Sequence, residues 1–355
     1  MPKALMDMTK ADIGVLMGGW GEPSFRVNQV YQWLMRGVPP KEMHNIPKAL
    51  RERLDVYPFG GAETLQKHPS RIDGTVKYLF QLGDGELVEG VLMRYQHGNT
   101  LCVSTQVGCR MGCAFCASTL GGLVRNLAPG EILGQVLAVE RDEGGRGGQR
   151  AVTNIVLMGS GEPLDNYKNV LAFLWRVMDK EGVHVSPRNI SLSTCGVVPN
   201  IYKLIDEALH ITLCISLHAV DNALRSRLMP LNKTYPVEDV LKAGADYAIA
   251  TGRRVIFEYA LIRGVNDARE DAHTLAIRLK HMLCHVNVIP LNHVERHTPA
   301  GVTLTGVSRS WAAKFVAWLQ EEHISATLRR RLGADIEGAC GQLRRRVLSE
   351  QSGGG

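Results

Sequence analysis

No stretch of this 355-residue sequence approaches the roughly 18 consecutive apolar residues of a membrane span. The first twenty residues, MPKALMDMTKADIGVLMGGW, lack the uninterrupted apolar core and small-residue cleavage site of a secretion signal. A soluble, cytoplasmic protein is therefore expected. Low-complexity sequence is confined to EGGRGGQ at 143–149, read as a flexible loop, and to the Gly-rich end at 352–355. Neither sign of charge dominates: 41 Lys+Arg against 35 Asp+Glu leave +6, a weak hint of an anionic partner. With 45% hydrophobic and 21% charged residues, disordered, collagen-like and coiled-coil chains are excluded. Eight cysteines without an export signal do not suggest a disulfide framework. In a reducing compartment, clustered thiols point to metal binding or catalysis.

At about 150 residues per domain the length suggests two domains, or one large domain with an appendage. The first part reads as helical. Thr9 is placed to cap a helix toward Met17, and Ser24 a second with Val27, Val30, Tyr31 and Leu34 at helical spacing. A third helix, KALRERL, follows Pro47. The period then changes to two. Val76–Leu82 and Glu86–Met93 read as strands joined by a Gly83-Asp84-Gly85 hairpin.

Beyond the hairpin, strands and helices alternate. Expected strands are Leu101–Val107, Asn154–Met158, Asn189–Ser193, Ile211–Leu217, Val255–Leu261 and His285–Leu291. Expected helices are Pro129–Arg141, Tyr167–Asp179, Pro199–Ala208, Val237–Ala250, Asp267–Leu279 and Ser308–Glu321. Six βα units imply a parallel sheet with right-handed crossovers, too few for an eightfold barrel. The expected fold is α/β: a partial (β/α)6 barrel with a small helical N-terminal domain. Its divisions are a helical module at 1–57, a hairpin extension at 58–98, the barrel at 99–330 and a tail at 331–355.

Cys109, Cys113 and Cys116 form C-x3-C-x2-C just after the first barrel strand. A complete [4Fe–4S] site normally takes four protein thiolates, so three on one loop leave one iron open to bind and polarise a small molecule. Gly108 and Gly112 permit a tight wrap, and Phe115 can shield the cluster. The competing readings are a zinc site borrowing Cys102 or a histidine, and three unrelated buried cysteines. Polar residues end successive apolar runs, where a parallel sheet places ligand contacts. Gly161 and Glu162 follow the second strand, Ser193 ends the third, Ser216, Leu217 and His218 the fourth, and Asn292 the sixth.

The cysteine spacing, with an aromatic before the last cysteine, resembles the radical S-adenosylmethionine superfamily. The segments GEPSFRVNQVYQWL, IPKALRERL, CVSTQVGCRMGCAFCASTLGGLVRNL, MGSGEPLDNY, ISLSTCGVVP, ISLHAVDNALRSRLMPLN, IPLN and GADIEGACGQL, running from Gly21 to Leu343, resemble the RlmN family of dual-specificity RNA methyltransferases. Val107 and STLGGLVRNL look more like this adenine-C2 family than the related class that methylates C8.

The resemblance implies a radical-type partial barrel whose Cys109, Cys113 and Cys116 hold the cluster. The strand-end residues would bind S-adenosylmethionine, consumed twice per turnover. Adenine C2 is electron-poor, so polar transfer from a sulfonium has nothing to attack it, and the cofactor supplies a radical route. One S-adenosylmethionine would methylate Cys340, and a second would be cleaved to a 5′-deoxyadenosyl radical that activates the S-methyl group. Cys102 would remove the C2 proton and then pair with Cys340 to release product, and Glu89 would be the acidic site residue, a candidate general base. From the residues alone, Cys340 reads as a buried small hydrophobe and Glu89 as a solvent-facing strand residue. Implied partners are 23S rRNA, tRNA beside the anticodon and an external electron donor such as flavodoxin or ferredoxin, with the chain a monomer. Arg51, Arg53, Arg125, Arg253-Arg254, Arg329–Arg331 and Arg344–Arg346 are candidate phosphate contacts, as against solvated element ends. The helical module could read RNA shape. Cys195, Cys214 and Cys284 read as structural.

The cluster reading and a metal-stapled, non-catalytic RNA-binding module part on colour. Anaerobically reconstituted protein is expected to be brown, with iron and sulfide in metal analysis. Colourless protein containing zinc would favour the binding module.

Overall fold

The computed structural model describes residues 2–96, 98–144, 150–291 and 304–336. Asn292, Cys340 and Arg344–Arg346 lie outside the described residues. Three short helices open the chain: α1 (Lys10–Gly19), α2 (Phe25–Leu34) and α3 (Lys48–Leu54). Thr9 caps α1 in a capping box: its hydroxyl accepts the Asp12 N–H at 3.1 Å while the Asp12 carboxylate accepts the Thr9 N–H at 2.7 Å. Ser24 occupies the cap position of α2, but its side chain makes no capping bond because its own backbone is already helical. The buried Arg176 guanidinium donates to the carbonyls of Met6 and Asp7, and the Gly130 N–H donates to the Asp7 carboxylate at 2.8 Å. These bonds seat the start of the chain on the main body.

Ten strands form one sheet. They are β1 (Ala62–Pro69), β2 (Val76–Leu82), β3 (Leu87–Tyr95), β4 (Gly98–Cys102), β7 (Asn154–Leu157), β8 (Ile190–Thr194), β9 (Thr212–Ser216), β10 (Val255–Leu261), β11 (Cys284–Pro290) and β12 (Ala326–Leu328), neighbours in that order. The remaining pair, β5 (Gln106–Gly108) and β6 (Leu123–Asn126), make a small antiparallel ribbon. β1 to β4 pair antiparallel, and from β4 to β12 every pairing is parallel.

The other helices are α4 (Pro129–Glu143), α5 (Tyr167–Val177), α6 (Val198–Asp206), α7 (Asn222–Leu228), α8 (Val237–Thr251), α9 (Arg269–Leu279) and α10 (Arg309–Glu321). One face of the parallel strands is apolar and fully buried: Ile155, Leu157, Ile190, Leu192, Leu213 and Ile215 are all essentially inaccessible, while Asn154, Ser191, Ser193, Thr212 and Ser216 between them are half-buried.

The α/β partial barrel with a helical N-terminal region is the architecture observed, with several differences from the sequence reading; the edge strand β1 and the ribbon strand β6 were not read. The expected strand Leu101–Val107 is two strands, β4 and β5. Between them the Thr105 and Gln106 N–H groups both donate to the Ser160 carbonyl, at 2.8 and 3.1 Å, which turns the chain off the main sheet. A seventh parallel strand, β12, pairs Val286 with Ala326; three residues are too few to show a period. Helix α7 also went unread, being seven residues long, and is capped by the Asp221 carboxylate accepting the Leu224 N–H at 2.7 Å.

Arg225 of α7 explains how that helix is held. Its side chain is fully buried and donates to the carbonyls of Cys195 (2.8 Å), Ser216 (3.1 Å) and Leu217 (3.1 Å) and to the Asn232 side chain (2.9 Å). It thereby ties the ends of β8 and β9 together. Arg225→Met removes the donors and strands three buried carbonyls, a loss of about 3 kcal/mol or more in unfolding free energy. Denaturant midpoints measure this; an unchanged midpoint would show that water or a shifted donor replaces the guanidinium.

Candidate active site

The cysteine loop leaves β5 through Gly108, whose φ of 77° is left-handed. A Cβ there would stand 2.0 Å from the Gly122 carbonyl oxygen, so only glycine lets the loop start this close to the returning ribbon. That carbonyl accepts the Cys109 N–H at 2.9 Å. Further along, the Ala114 N–H donates to the Leu228 carbonyl at 2.8 Å, fastening the loop to the end of α7. The Thr119 hydroxyl donates to the Cys116 carbonyl at 2.9 Å and closes the last turn. Cys109, Cys113 and Cys116 all line one cavity of about 300 Å³. Burial pushes the Cys109 thiol up to about 12 and the Cys113 thiol higher, with mutual repulsion of the sulfurs adding to both. A bound cationic group is what would make thiolates favourable there.

The far wall is built from strand ends. Gly161 (φ 106°) sits so close to Gln106 that a Cβ would meet its backbone nitrogen at 2.7 Å. The next residue, Glu162, is buried: its N–H donates to the Gln106 side chain at 2.8 Å, and its carboxylate accepts the N–H groups of Leu164 (2.9 Å) and Cys195 (2.7 Å). Desolvation raises its pKa against those bonds. His218 is buried with a left-handed backbone (φ 57°). Its Nδ1 accepts the Ala260 N–H at 3.0 Å, which places the ring proton on Nε2. Phe115 packs edge-on against the same ring, centroids 4.6 Å apart. Burial, and secondarily the Arg225 charge, lower the His218 pKa to about 3.

Ser193 and Ser216 also line the cavity, as do two residues the sequence reading did not place there, Glu258 and Arg329. Glu258 is buried within β10, accepts from the Asn287 side chain at 3.1 and 3.2 Å, and lies 3.5 Å from the Arg329 guanidinium. Its only sequence signal is a lone carboxylate inside an apolar run, FEYAL. A larger hollow of about 630 Å³, lined by Trp175, His184 and His210 among others, lies by the segments that enter β8 and β9. Parallel sheets place ligands at the opposite, carboxyl ends of their strands, and the cysteine cavity is at those ends.

Comparison with known proteins agrees with this geometry. Residues 103–276 match the radical SAM superfamily model, and residues 3–57 match the model for the ribosomal RNA large subunit methyltransferase N-terminal domain. The chain is 45% identical over 351 residues to a probable dual-specificity RNA methyltransferase RlmN of Clostridium botulinum, covering 98% of both chains. It is 46% identical over 349 residues to the protein of that name from Alkaliphilus metalliredigens, covering 98% of this chain and 96% of the relative. The crystal structure of a radical SAM methyltransferase from Sphaerobacter thermophilus superimposes with a TM-score of 0.89 at 40% identity, covering 96% of this chain and 99% of that one.

The chain belongs to the RlmN family. As a radical SAM enzyme of that family it works with a [4Fe–4S] cluster and S-adenosylmethionine. The residues present fit these groups: three sulfurs of one loop face a cavity whose opposite wall carries polar strand ends. Among the described residues, no three His, Cys, Asp or Glu side chains converge where one metal ion would sit, as a mononuclear zinc site requires.

Eight of the expected RlmN site residues come together in the cavity: Cys109, Cys113, Cys116, Gly161, Glu162, Ser193, Ser216 and His218. Leu217, Cys102 and Glu89 are buried but do not line it. Cys102 ends β4, opposite Val91 of β3. Glu89 is not a solvent-facing strand residue: it pairs at 3.0 Å with the equally buried Lys77. Cys195 lines the cavity behind Glu162, with its thiol pushed well up by burial.

Several of the candidate phosphate contacts have protein partners in the fold. Arg125 forms a bidentate pair with Glu131 (2.8 and 2.9 Å) and bonds Asp84 at 2.7 Å. Arg51 donates to the Lys41 carbonyl at 2.7 Å, and Arg253 to the Thr212 hydroxyl at 2.8 Å. Arg53 lies over the Trp20 ring, 4.3 Å from its centroid.

Neutral His218 carries a pH signature. Its folded pKa of about 3 lies below the unfolded value near 6.5, so the unfolded chain binds the extra proton first. Stability from this group is complete above about pH 6.5 and declines as pH falls toward 3, by up to about 1.4 kcal/mol per pH unit. Substituting Asn for His218 should remove that much of the slope in denaturant titrations between pH 6.5 and 3. An unchanged slope would mean that His218 is not held neutral.

Proposed function

We propose that this chain methylates C2 of adenine in 23S rRNA and in tRNA next to the anticodon, with Cys340 as the methyl carrier. The observation that carries this reading is the meeting of Cys109, Cys113 and Cys116 with Glu162, Ser193, Ser216 and His218 around one cavity. The three cysteines hold the cluster, which supplies the electron that cleaves a sulfonium. Glu162, Ser193, Ser216 and His218, with Gly161, Leu217 and Asn292, hold S-adenosylmethionine. Glu162 is backbone-braced through both oxygens, so it offers its remaining lone pairs to the cofactor's amino group in a fixed direction. His218, with its proton on Nε2, donates a hydrogen bond without bringing positive charge next to a sulfonium. Phe115 and Met229 keep water from the reaction space.

Cys102 takes the C2 proton and then pairs with Cys340 to release product, and Glu89, its orientation held by Lys77, is the acidic residue and candidate general base of the site. The helical module at 1–57 meets the RNA, the hairpin extension spans 58–98, the barrel 99–330 and the carrier tail 331–355. The enzyme acts in the cytoplasm as a monomer and draws electrons from a flavodoxin or ferredoxin. No helix among the described residues is long and apolar enough to cross a membrane.

Anaerobically reconstituted protein given reductant, S-adenosylmethionine and 23S rRNA fragments or tRNA is expected to yield 2-methyladenosine by nucleoside mass spectrometry. Cys340→Ala should abolish product while leaving iron content unchanged. Chromatography assigning the product as 8-methyladenosine, or undiminished methylation by Cys340→Ala, would overturn the assignment.

A further inference from the structure

A row of polar side chains crosses one face of the parallel strands. Ser216 of β9 lies opposite Glu258 of β10, Glu258 opposite Asn287 of β11, and Asn287 opposite Thr327 of β12. Residues paired across neighbouring strands stand on the same face, about 4.8 Å apart. Ser216 and Glu258 both line the cysteine cavity, with His218, Ala260 and Arg329. The backbone of Glu258 is part of the same wall. Its carbonyl accepts the N–H groups of Leu217 at 3.0 Å and His218 at 3.3 Å. Two residues along, the Ala260 N–H donates to the His218 ring. Glu258 is therefore built into the strand ends that Ser216 and His218 contribute to the cavity.

For a buried charge this carboxylate is poorly served. Among the described residues, one Asn287 nitrogen is shared between its two oxygens, at 3.1 and 3.2 Å, and the Arg329 guanidinium stands 3.5 Å from one of them. Desolvation raises its pKa, against the Arg329 charge and the Asn287 amide. An ionised carboxylate accepts about four hydrogen bonds, and burial without them is costly. A ligand that fits must bring donors. S-adenosylmethionine offers three sets: its amino group, the adenine N6 amine and the two ribose hydroxyls. The amino group is matched by Glu162. The N6 amine sits beside ring nitrogens that are acceptors, which a second carboxylate oxygen would oppose. Two adjacent hydroxyls suit the two oxygens of one carboxylate, and acidic side chains hold nucleotide ribose in this way in other folds. A nucleotide inside an RNA chain has no such pair, because its 3′ oxygen is in a phosphodiester whose charge Glu258 would repel.

We propose that Glu258 accepts the ribose hydroxyls of S-adenosylmethionine, with Asn287 and Arg329 holding its carboxylate in place. The proposal rests on the cysteine cavity being the cofactor site. Its physical content is selection for a free vicinal diol. Each hydroxyl gives a hydrogen bond to a charged acceptor out of water, and a cofactor lacking one leaves part of a buried charge unanswered.

The test reads binding rather than turnover. The full chain, with its cluster reconstituted and left unreduced so that no sulfonium is cleaved, is titrated anaerobically by calorimetry. The probes are S-adenosylmethionine and its 2′-deoxy and 3′-deoxy analogues. The parent should bind each analogue about tenfold more weakly than S-adenosylmethionine, the usual cost of a lost hydrogen bond to a charged group. Glu258→Ala, at the parent's iron content, should bind S-adenosylmethionine about tenfold more weakly or worse and all three probes within about twofold of one another. Glu258→Gln keeps the shape without the charge and should retain a preference of about threefold. A purely structural Glu258 would weaken all three probes alike. A tenfold ratio that persists in either variant therefore overturns the assignment, as does a parent that shows no preference. A parent with a full cluster that binds none of the three would instead show that the cavity is not the cofactor site. Should Glu258→Ala fail to fold, the ratio in Glu258→Gln decides alone.

Discussion

Three sulfurs gathered on one loop, two of them buried, are electrostatically costly as thiolates. Burial and mutual repulsion both push Cys109 and Cys113 toward the neutral thiol. The loop is nevertheless pinned at each end by backbone bonds that do not involve the sulfurs, to Gly122 on one side and Leu228 on the other. The loop's backbone thus has anchors of its own, and a bound cluster would offset the cost of gathering the sulfurs. Preorganisation of this kind keeps the donor geometry from depending on the ligand. The rest of the site is arranged around that loop: Phe115 lies against His218, and α7 both receives the Ala114 N–H and, through Arg225, fixes the ends of β8 and β9.

Buried charge elsewhere in the barrel follows a similar logic. Glu89 is a buried carboxylate answered by the equally buried Lys77, while the buried Glu258 is answered by Arg329, a half-exposed residue at the cavity. Such pairs contribute little to net stability, because desolvation offsets attraction, but they hold orientation strictly. Glu258 joins β10 to the residue that leaves β12, so the cofactor cavity and the start of the C-terminal tail share one contact. The turn of the first hairpin then receives the same tail further along. The segment after β12 thus joins the two edges of the sheet, through the bonds of Gly333 and Asp335 to the turn after β1.

Much of the architecture was legible because its signals are periodic. Strands such as β7 to β11 are short, mostly apolar runs between helical segments, and the alternation itself implies a parallel sheet. What escaped was short, polar or context-dependent: β12 has three residues, β1 (AETLQKHP) is a largely exposed edge strand without apolar alternation, and β4 with β5 looks continuous until the Ser160 carbonyl captures two successive amides. In the site, the cysteine spacing and the polar strand ends were readable, since their chemistry is local. Glu258 and Arg329 were not, because nothing in FEYAL or LRRR says which residues will face each other across three strands.

By itself the sequence determined the family, the cluster-type cysteine loop, the βα alternation and the strand ends that could bind a cofactor, since each is written in neighbouring residues. Only the tertiary structure decided that Glu89 is buried against Lys77 rather than solvated, that Arg125 is spent on Asp84 and Glu131, and that residues 333–335 lie on the turn after β1. Those outcomes depend on sheet curvature and on which distant side chains share a low-dielectric space, and neither is encoded within any one segment.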